Sequence, residues 1–254
     1  MRFNDRIALM LLLTVLSCAG EKTVPRAREP VEQVITHRVE SGETWHSLAR
    51  DFYGDEGRAA ALALDNRMDA GVEPHAGSAV RIILSARDAR RIKSRLDAAR
   101  EYNAGLDLAS AGNYAAASQK FEEAVKLDPY FNDASFNLAV TYGKLGFHAK
   151  AVSILKELAS VSPGNAGYRY ALGASLFDAG DLAGAEKVFL DILAAAPSDR
   201  KSVFSLAVIL EKRGKTDMAI RRFRQYLVLD SDGEWAESAR GHLSALERSG
   251  GSGR

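Results

Sequence analysis

Four glycines, Gly112, Gly146, Gly180 and Gly214, stand 34 residues apart along the chain. Ala117, Ala151, Ala185 and Ala219 keep the same step, as do Phe121, Leu155, Phe189 and Phe223. Pro129, Pro163 and Pro197 follow it too, with Ser231 where a fourth would fall. One compact core has no reason to repeat at a fixed interval. A period of this length signals stacked units, each burying one face against the next. Each unit reads as two amphipathic helices joined at the glycine, with a small residue where the helices cross and a large one filling the gap. The proline closes the unit, because it lacks the N–H that would continue a helix. The units are 98–131, 132–165, 166–199 and 200–233. Residues 234–248 follow as a capping helix, with Trp235, Ala239, Leu243 and Leu246 inward and Glu234, Glu237, Ser238 and Glu247 outward. Residues 249–254 read as a flexible tail.

This pattern resembles tetratricopeptide repeats, which implies an all-α solenoid with a concave groove. In that family the fifth residue of each unit faces the groove, here Tyr102, Phe136, Tyr170 and Phe204. The ninth residues, Leu106, Val140, Ala174 and Val208, stand where many groove-binding members carry Asn. The groove is therefore expected to be unusually apolar. Such a stripe binds a helix or peptide of another protein, pairs with a second copy, or is filled by residues 86–97. A protein partner is the preferred outcome. Asn137 matches one position of the clamp that holds acidic C-terminal peptides, but the Lys and Arg positions of that clamp are unfilled.

Residues 37–84 are different in kind. A short strand signal and a glycine turn come first, and the β-branched run Val80-Arg81-Ile82-Ile83-Leu84 comes last. Between them, Trp45, Leu48, Ala49 and Phe52 fall at i, i+3, i+4 and i+7, followed by the alanine-rich stretch 58–65. The order strand–helix–helix–strand and the residues Val39, Gly42-Glu43-Thr44-Trp45, Leu48-Ala49, Phe52-Tyr53-Gly54, Asn66, Pro74, Gly77, Val80 and Ile82 resemble a LysM domain, bounded at 37–85. The fold class is then multidomain: a small α+β (βααβ) domain followed by the all-α solenoid of four helix-turn-helix repeats and a cap.

The LysM resemblance implies binding of N-acetylglucosamine-containing glycan, most naturally peptidoglycan, in a shallow groove between two loops. Here those loops are Gly42, Glu43, Thr44 and Trp45, and Pro74, His75, Ala76 and Gly77. Glycine lets a backbone approach a sugar closely, and amides can bond its N-acetyl group. Trp45 could stack on a sugar, but its helical spacing to Leu48 and Phe52 favours the core.

The N-terminus bears on location. Arg2 and Arg6 precede the apolar stretch Ile7–Leu16, and Ser17 precedes Cys18, the single cysteine of 254 residues. Ten residues are too few to span a bilayer as a helix, which takes about twenty. Val15-Leu16-Ser17-Cys18 resembles a bacterial lipobox, which implies that residues 1–17 are a signal peptide and that Cys18 carries lipid. Ala19 at the following position implies the outer membrane, facing the periplasm. Residues 18–36, with Pro25 and Pro30, are expected to be a flexible tether. Residues 86–97, rich in Arg and Lys, are expected to be a connecting basic helix with a solvated face, the alternative being contact with an anionic envelope glycolipid.

Catalysis is not expected. The five histidines are scattered, no Cys/His cluster has metal spacing, and no phosphate loop or nucleophile motif occurs. A formal charge of +1 gives no reason to expect nucleic acid. No cofactor is implied. The expected function is a lipid-anchored, non-enzymatic envelope adaptor that joins peptidoglycan to an envelope protein. The alternative is a periplasmic assembly factor or pilotin-like chaperone whose LysM fold does not bind glycan.

Overall fold

The computed structural model describes residues 31–251. Cys18, the apolar stretch before it and the tether as far as residue 30 lie outside the described residues. The described chain divides into two compact units. The first runs to Asn103 and includes Lys126–Asp128, and the second takes Ala104–Val125 and the residues from Pro129 on.

The first unit starts with strand β1 (Val31–Arg38) and continues with helix α1 (Trp45–Tyr53), a 3-10 turn (Glu56–Arg58), helix α2 (Ala59–Asp65) and strand β2 (Ala79–Ser85). β1 and β2 pair antiparallel, with Ile35 opposite Ile82 and His37 opposite Val80. Residues 31–36, expected as tether, are thus strand. The reason is alternation: Ile35, His37 and Val39 turn inward while Val34, Thr36 and Arg38 face out. Trp45, Leu48, Phe52, Leu62, Val80, Ile82 and Leu84 form the core beneath the two strands. Each large apolar side chain buried there stabilises the unit by roughly 1.5–3 kcal/mol.

Helix α1 has a well-made start and stop. Thr44 caps it in extended backbone: its hydroxyl accepts from the Ser47 amide, while the Ser47 hydroxyl accepts from the Thr44 amide. Gly54 ends it at φ +64°, donating to the Arg50 carbonyl.

Helix α3 (Ala86–Ser110) follows β2 directly, and the division between the two units falls within it. The basic segment 86–97 is therefore continuous with the first repeat helix. Its arginines are less solvated than expected. Arg91 donates to the Phe52 carbonyl at 2.8 Å and Arg95 to the Asp51 carbonyl at 3.1 Å, serving carbonyls at the end of α1. Asp88, buried, accepts from Arg58 at 3.1 Å.

In the second unit, the C-terminal part of α3 belongs to the first helix of repeat one, and α4 (Tyr114–Leu127) follows it. The later helices are α5 (Asn132–Lys144), α6 (His148–Val161), α7 (Ala166–Asp178), α8 (Leu182–Ala195), α9 (Arg200–Lys212), α10 (Thr216–Leu229) and α11 (Ala236–Gly251). The helix boundaries recur with the 34-residue step. Gly112, Gly146, Gly180 and Gly214 all take positive φ, between +70° and +82°, where a side chain would be strained. Helix α11 extends to Gly251, so residues 249–251, expected as tail, continue the capping helix. The repeat helices meet at the periodic small residues: Ala117, Ala151, Ala185 and Ala219 are fully buried.

Candidate functional site

The first candidate site lies at the end of the β1–β2 ladder. The Trp45 amide donates to the Glu73 carboxylate at 2.8 Å, and the Trp45 indole donates to the Val72 carbonyl at 2.8 Å. The Gly77 amide donates to the Val39 carbonyl at 2.7 Å, and Arg38 Nε donates to the Gly77 carbonyl at 3.1 Å. These bonds bring the loops 42–45 and 74–77 to one edge of the unit.

Within that edge the eight expected glycan residues take different roles. Trp45 is 0 % exposed, which rules it out as a sugar platform and makes it the centre of the core. Thr44 is committed to capping α1. Glu43 lies 2.7 Å from His37 Nε2 and accepts from the Glu40 amide at 2.7 Å, so its carboxylate holds the turn. Pro74 is buried. Gly42, His75, Ala76 and Gly77 are exposed, and a side chain added at Gly42 or Gly77 would meet nothing within 4 Å. Both glycines sit near φ +87°. The Gly77 amide is spent on Val39, whereas the amides of Gly42, His75 and Ala76 donate to no group among the described residues. What the edge offers a ligand is open backbone, framed by buried side chains.

His37 and Glu73 escaped the sequence expectations. His37 is buried, its ring meeting Phe52 edge-on at 5.3 Å while its Nε2 holds Glu43. Glu73 lies 28 residues from the amide it caps, and no local pattern announces such a bond.

The second candidate site is on the repeats. A cavity of about 190 Å³ opens between α7 and α9, lined by Ala174, Phe177, Asp178, Phe189, Phe204, Ser205, Val208 and Ile209. Three expected groove residues, Ala174, Phe204 and Val208, line it together. Tyr170 stands beside them, its hydroxyl 3.2 Å from Ser205 Oγ and its ring 5.5 Å from Phe189. Phe204 is less open than expected. Trp235 stacks on it at 5.1 Å, and the Tyr226 ring lies 5.3 Å away.

The other expected groove residues do not line the cavity. Phe136 on α5 is half-buried against Tyr168, 5.3 Å between ring centres, and Val140 is 40 % exposed on the same helix. Tyr102 and Leu106 are half-buried on α3, the former in the first unit and the latter in the second.

The electrostatics near the cavity centre on Glu186. It is buried on α8, bonded to Lys215 Nζ at 2.7 Å and to Arg213. Burial raises its pKa, but the bonds and charges of Lys215 and Arg213 outweigh burial and hold the carboxyl below its ordinary range. Tyr142 on α5 goes the other way. Burial and its 2.6 Å bond to the Glu122 carboxylate push it up to about 12. Both groups pin neighbouring helices. Among the described residues no group of three His, Cys, Asp or Glu is placed to hold a metal, and no helix is long and apolar enough to cross a membrane.

Comparison with known proteins agrees on the repeats. The tetratricopeptide repeat model matches residues 102–143, 138–200 and 170–234, together more than half of the chain. Similar solved structures include MamA from AMB-1, 22% identical with a TM-score of 0.51 over 65% of this chain and 84% of that one. MamA 41-end from Desulfovibrio magneticus RS-1 is 18% identical, TM-score 0.51, over 60% and 96%. YrrB, described as a TPR protein with an unusual peptide-binding site, is 19% identical, TM-score 0.54, over 61% and 79%. At these identities the likeness concerns the fold. No curated protein matches the chain. With the match spanning all four 34-residue units, the chain belongs to the tetratricopeptide repeat family.

Proposed function

We propose that this chain is a lipid-anchored, non-enzymatic adaptor of the bacterial cell envelope. In this account Cys18 carries the lipid and the first unit is a LysM domain that holds peptidoglycan. The repeat groove takes an envelope protein or peptide, and the chain sits at the outer membrane facing the periplasm. The observation that carries the glycan half is the edge where the loops 42–45 and 74–77 meet, with the Gly42, His75 and Ala76 amides unspent among the described residues. An N-acetyl group needs such donors, and a shallow backbone site binds weakly by itself. A lipid anchor on the same chain raises the effective concentration at the wall and offsets that weakness.

The groove half is supported by the apolar cavity between α7 and α9. At about 190 Å³ it is smaller than the roughly 300–1,000 Å³ typical of sites for whole small molecules. Its size suits one bulky side chain of a partner polypeptide, the anchoring mode common at protein interfaces.

The test is a titration of the isotopically labelled full chain with N-acetylglucosamine oligomers, followed by amide NMR shifts. The account predicts shifts concentrated at Gly42, His75 and Ala76. Absence of shifts there at millimolar oligomer contradicts glycan binding and favours the assembly-factor alternative.

A further inference from the structure

We infer that Arg87, Arg90 and Lys93 on α3 form a docking stripe for an anionic phospholipid surface. The inference rests on the lipid anchor at Cys18 proposed above, and it extends that reading from the anchor to the folded unit.

Four observations support it. The three side chains are exposed and have no carboxylate partner among the described residues, whereas Arg91, Arg95 and Arg100 of the same helix are engaged in bonds or ion pairs. Their spacing of three keeps them on one face of the helix, within about 9 Å along its axis. That distance is comparable to the screening length of roughly 8–10 Å at physiological salt, so a charged surface senses them together.

The second observation is where the chain leaves the fold. In the strand register Val31 lies opposite Ser85, the residue immediately before α3. The segment from Cys18 therefore enters the unit beside the start of the stripe. Only the residues 19–30 separate the two, which span about 40 Å fully extended and roughly 20 Å as a coil. A lipid on Cys18 holds this end of the unit close to the bilayer.

Third, Arg87 opposes the fold's own electrostatics. It lies in the first turn of α3, where the helix dipole favours negative charge. Stability does not explain a cation there. Fourth, the acidic group nearest in sequence, Asp88, is buried and paired with Arg58 and Arg91, so it does not cancel the stripe.

The experiment uses the mature chain from residue 18 on, carrying Cys18→Ser, so that neither an acyl chain nor the apolar stretch Ile7–Leu16 masks the effect, with the stripe intact or as Arg87→Glu/Arg90→Glu/Lys93→Glu. Both are sedimented with phosphatidylethanolamine–phosphatidylglycerol vesicles and with phosphatidylcholine vesicles. Each basic group near an anionic bilayer adds to binding, so the reversal should lower partitioning to the anionic vesicles by about tenfold or more. Partitioning to phosphatidylcholine should not change, and the melting temperature should hold or rise, since Glu suits the start of a helix. Equal pelleting of the two chains, or an equal loss on both vesicle types, overturns the stripe. A lowered melting temperature with the same losses also overturns it, by assigning the residues a structural role. Mass spectrometry of the wild-type chain from bacterial membranes judges the anchor separately: an unmodified Cys18 removes that reading whatever the vesicles show.

Discussion

Single residues decide what each site can offer. Ala174 is small where the cavity between α7 and α9 opens, and Trp in its place fills that space. The wild-type chain should brighten the apolar dye ANS at the cavity, and Ala174→Trp should lose most of that signal without a loss of helicity. Unchanged fluorescence would place the apolar surface elsewhere. Glu186 is the counterpart inside the stack. Its carboxylate joins α8 to Lys215 and Arg213 at the α9–α10 turn, with Lys215 about one-third exposed. Glu186→Gln leaves those cations without a charge partner and should cost about 1–3 kcal/mol, between the values for exposed and fully buried pairs. The carboxyl's pKa is depressed in the fold, so its contribution is present above the ordinary carboxylate range and lost as pH falls through the folded value. Melting temperatures of wild type and variant should therefore differ most at neutral pH and converge as pH falls below the ordinary carboxylate range and through the depressed folded value. A gap that persists at acid pH would contradict this assignment.

At the scale of elements, α3 has two attachments. It opens the repeats, and its Arg91 and Arg95 satisfy carbonyls at the end of α1. Gly54 makes room for this contact, since a side chain there would come within 2.6 Å of Arg91 Nη1. Arg91→Met keeps the stem but removes the donor, and should destabilise the first unit by about 1–3 kcal/mol. Hydrogen exchange should show it as faster exchange in α1 with little change in α7–α10. Equal acceleration in both would mean that α3 supports the second unit as much as the first. The sequence revealed α3's charge but not its bonds, because a donor to a carbonyl some forty positions away leaves no local periodicity. The first part of strand β1 was hidden for a related reason. Residues 31–36 have no helical pattern, and their alternation gains meaning only once β2 lies alongside. The repeat helices were legible because each unit restates the same contact: Gly173 presses on Phe189 and Gly105 on Phe121 in equivalent places.

At the scale of the whole molecule, the chain is two units with different ligands expected of each. Family spacing named eight groove positions, and α7 and α9 bring four of them together. Their local environment was not legible, because Trp235 comes from beyond the last repeat to cover Phe204. The loop pair was legible as two stretches of sequence. Which amides remain free depends on His37 and Glu73, which the spacing did not single out, and on the Val39 carbonyl, whose bond it did not reveal. The central claim is that one chain holds the wall with its first unit while presenting the groove. It is tested most directly by co-sedimentation of the full chain with purified peptidoglycan sacculi, beside the Gly42→Val/Gly77→Val variant. Valine is strained at both positive-φ positions and crowds the open backbone, while nothing in the core has to move. The account predicts that the wild-type chain pellets with sacculi and that the variant, still folded by circular dichroism, stays largely in the supernatant. A wild-type chain that remains in solution, or a variant that pellets equally, would contradict it.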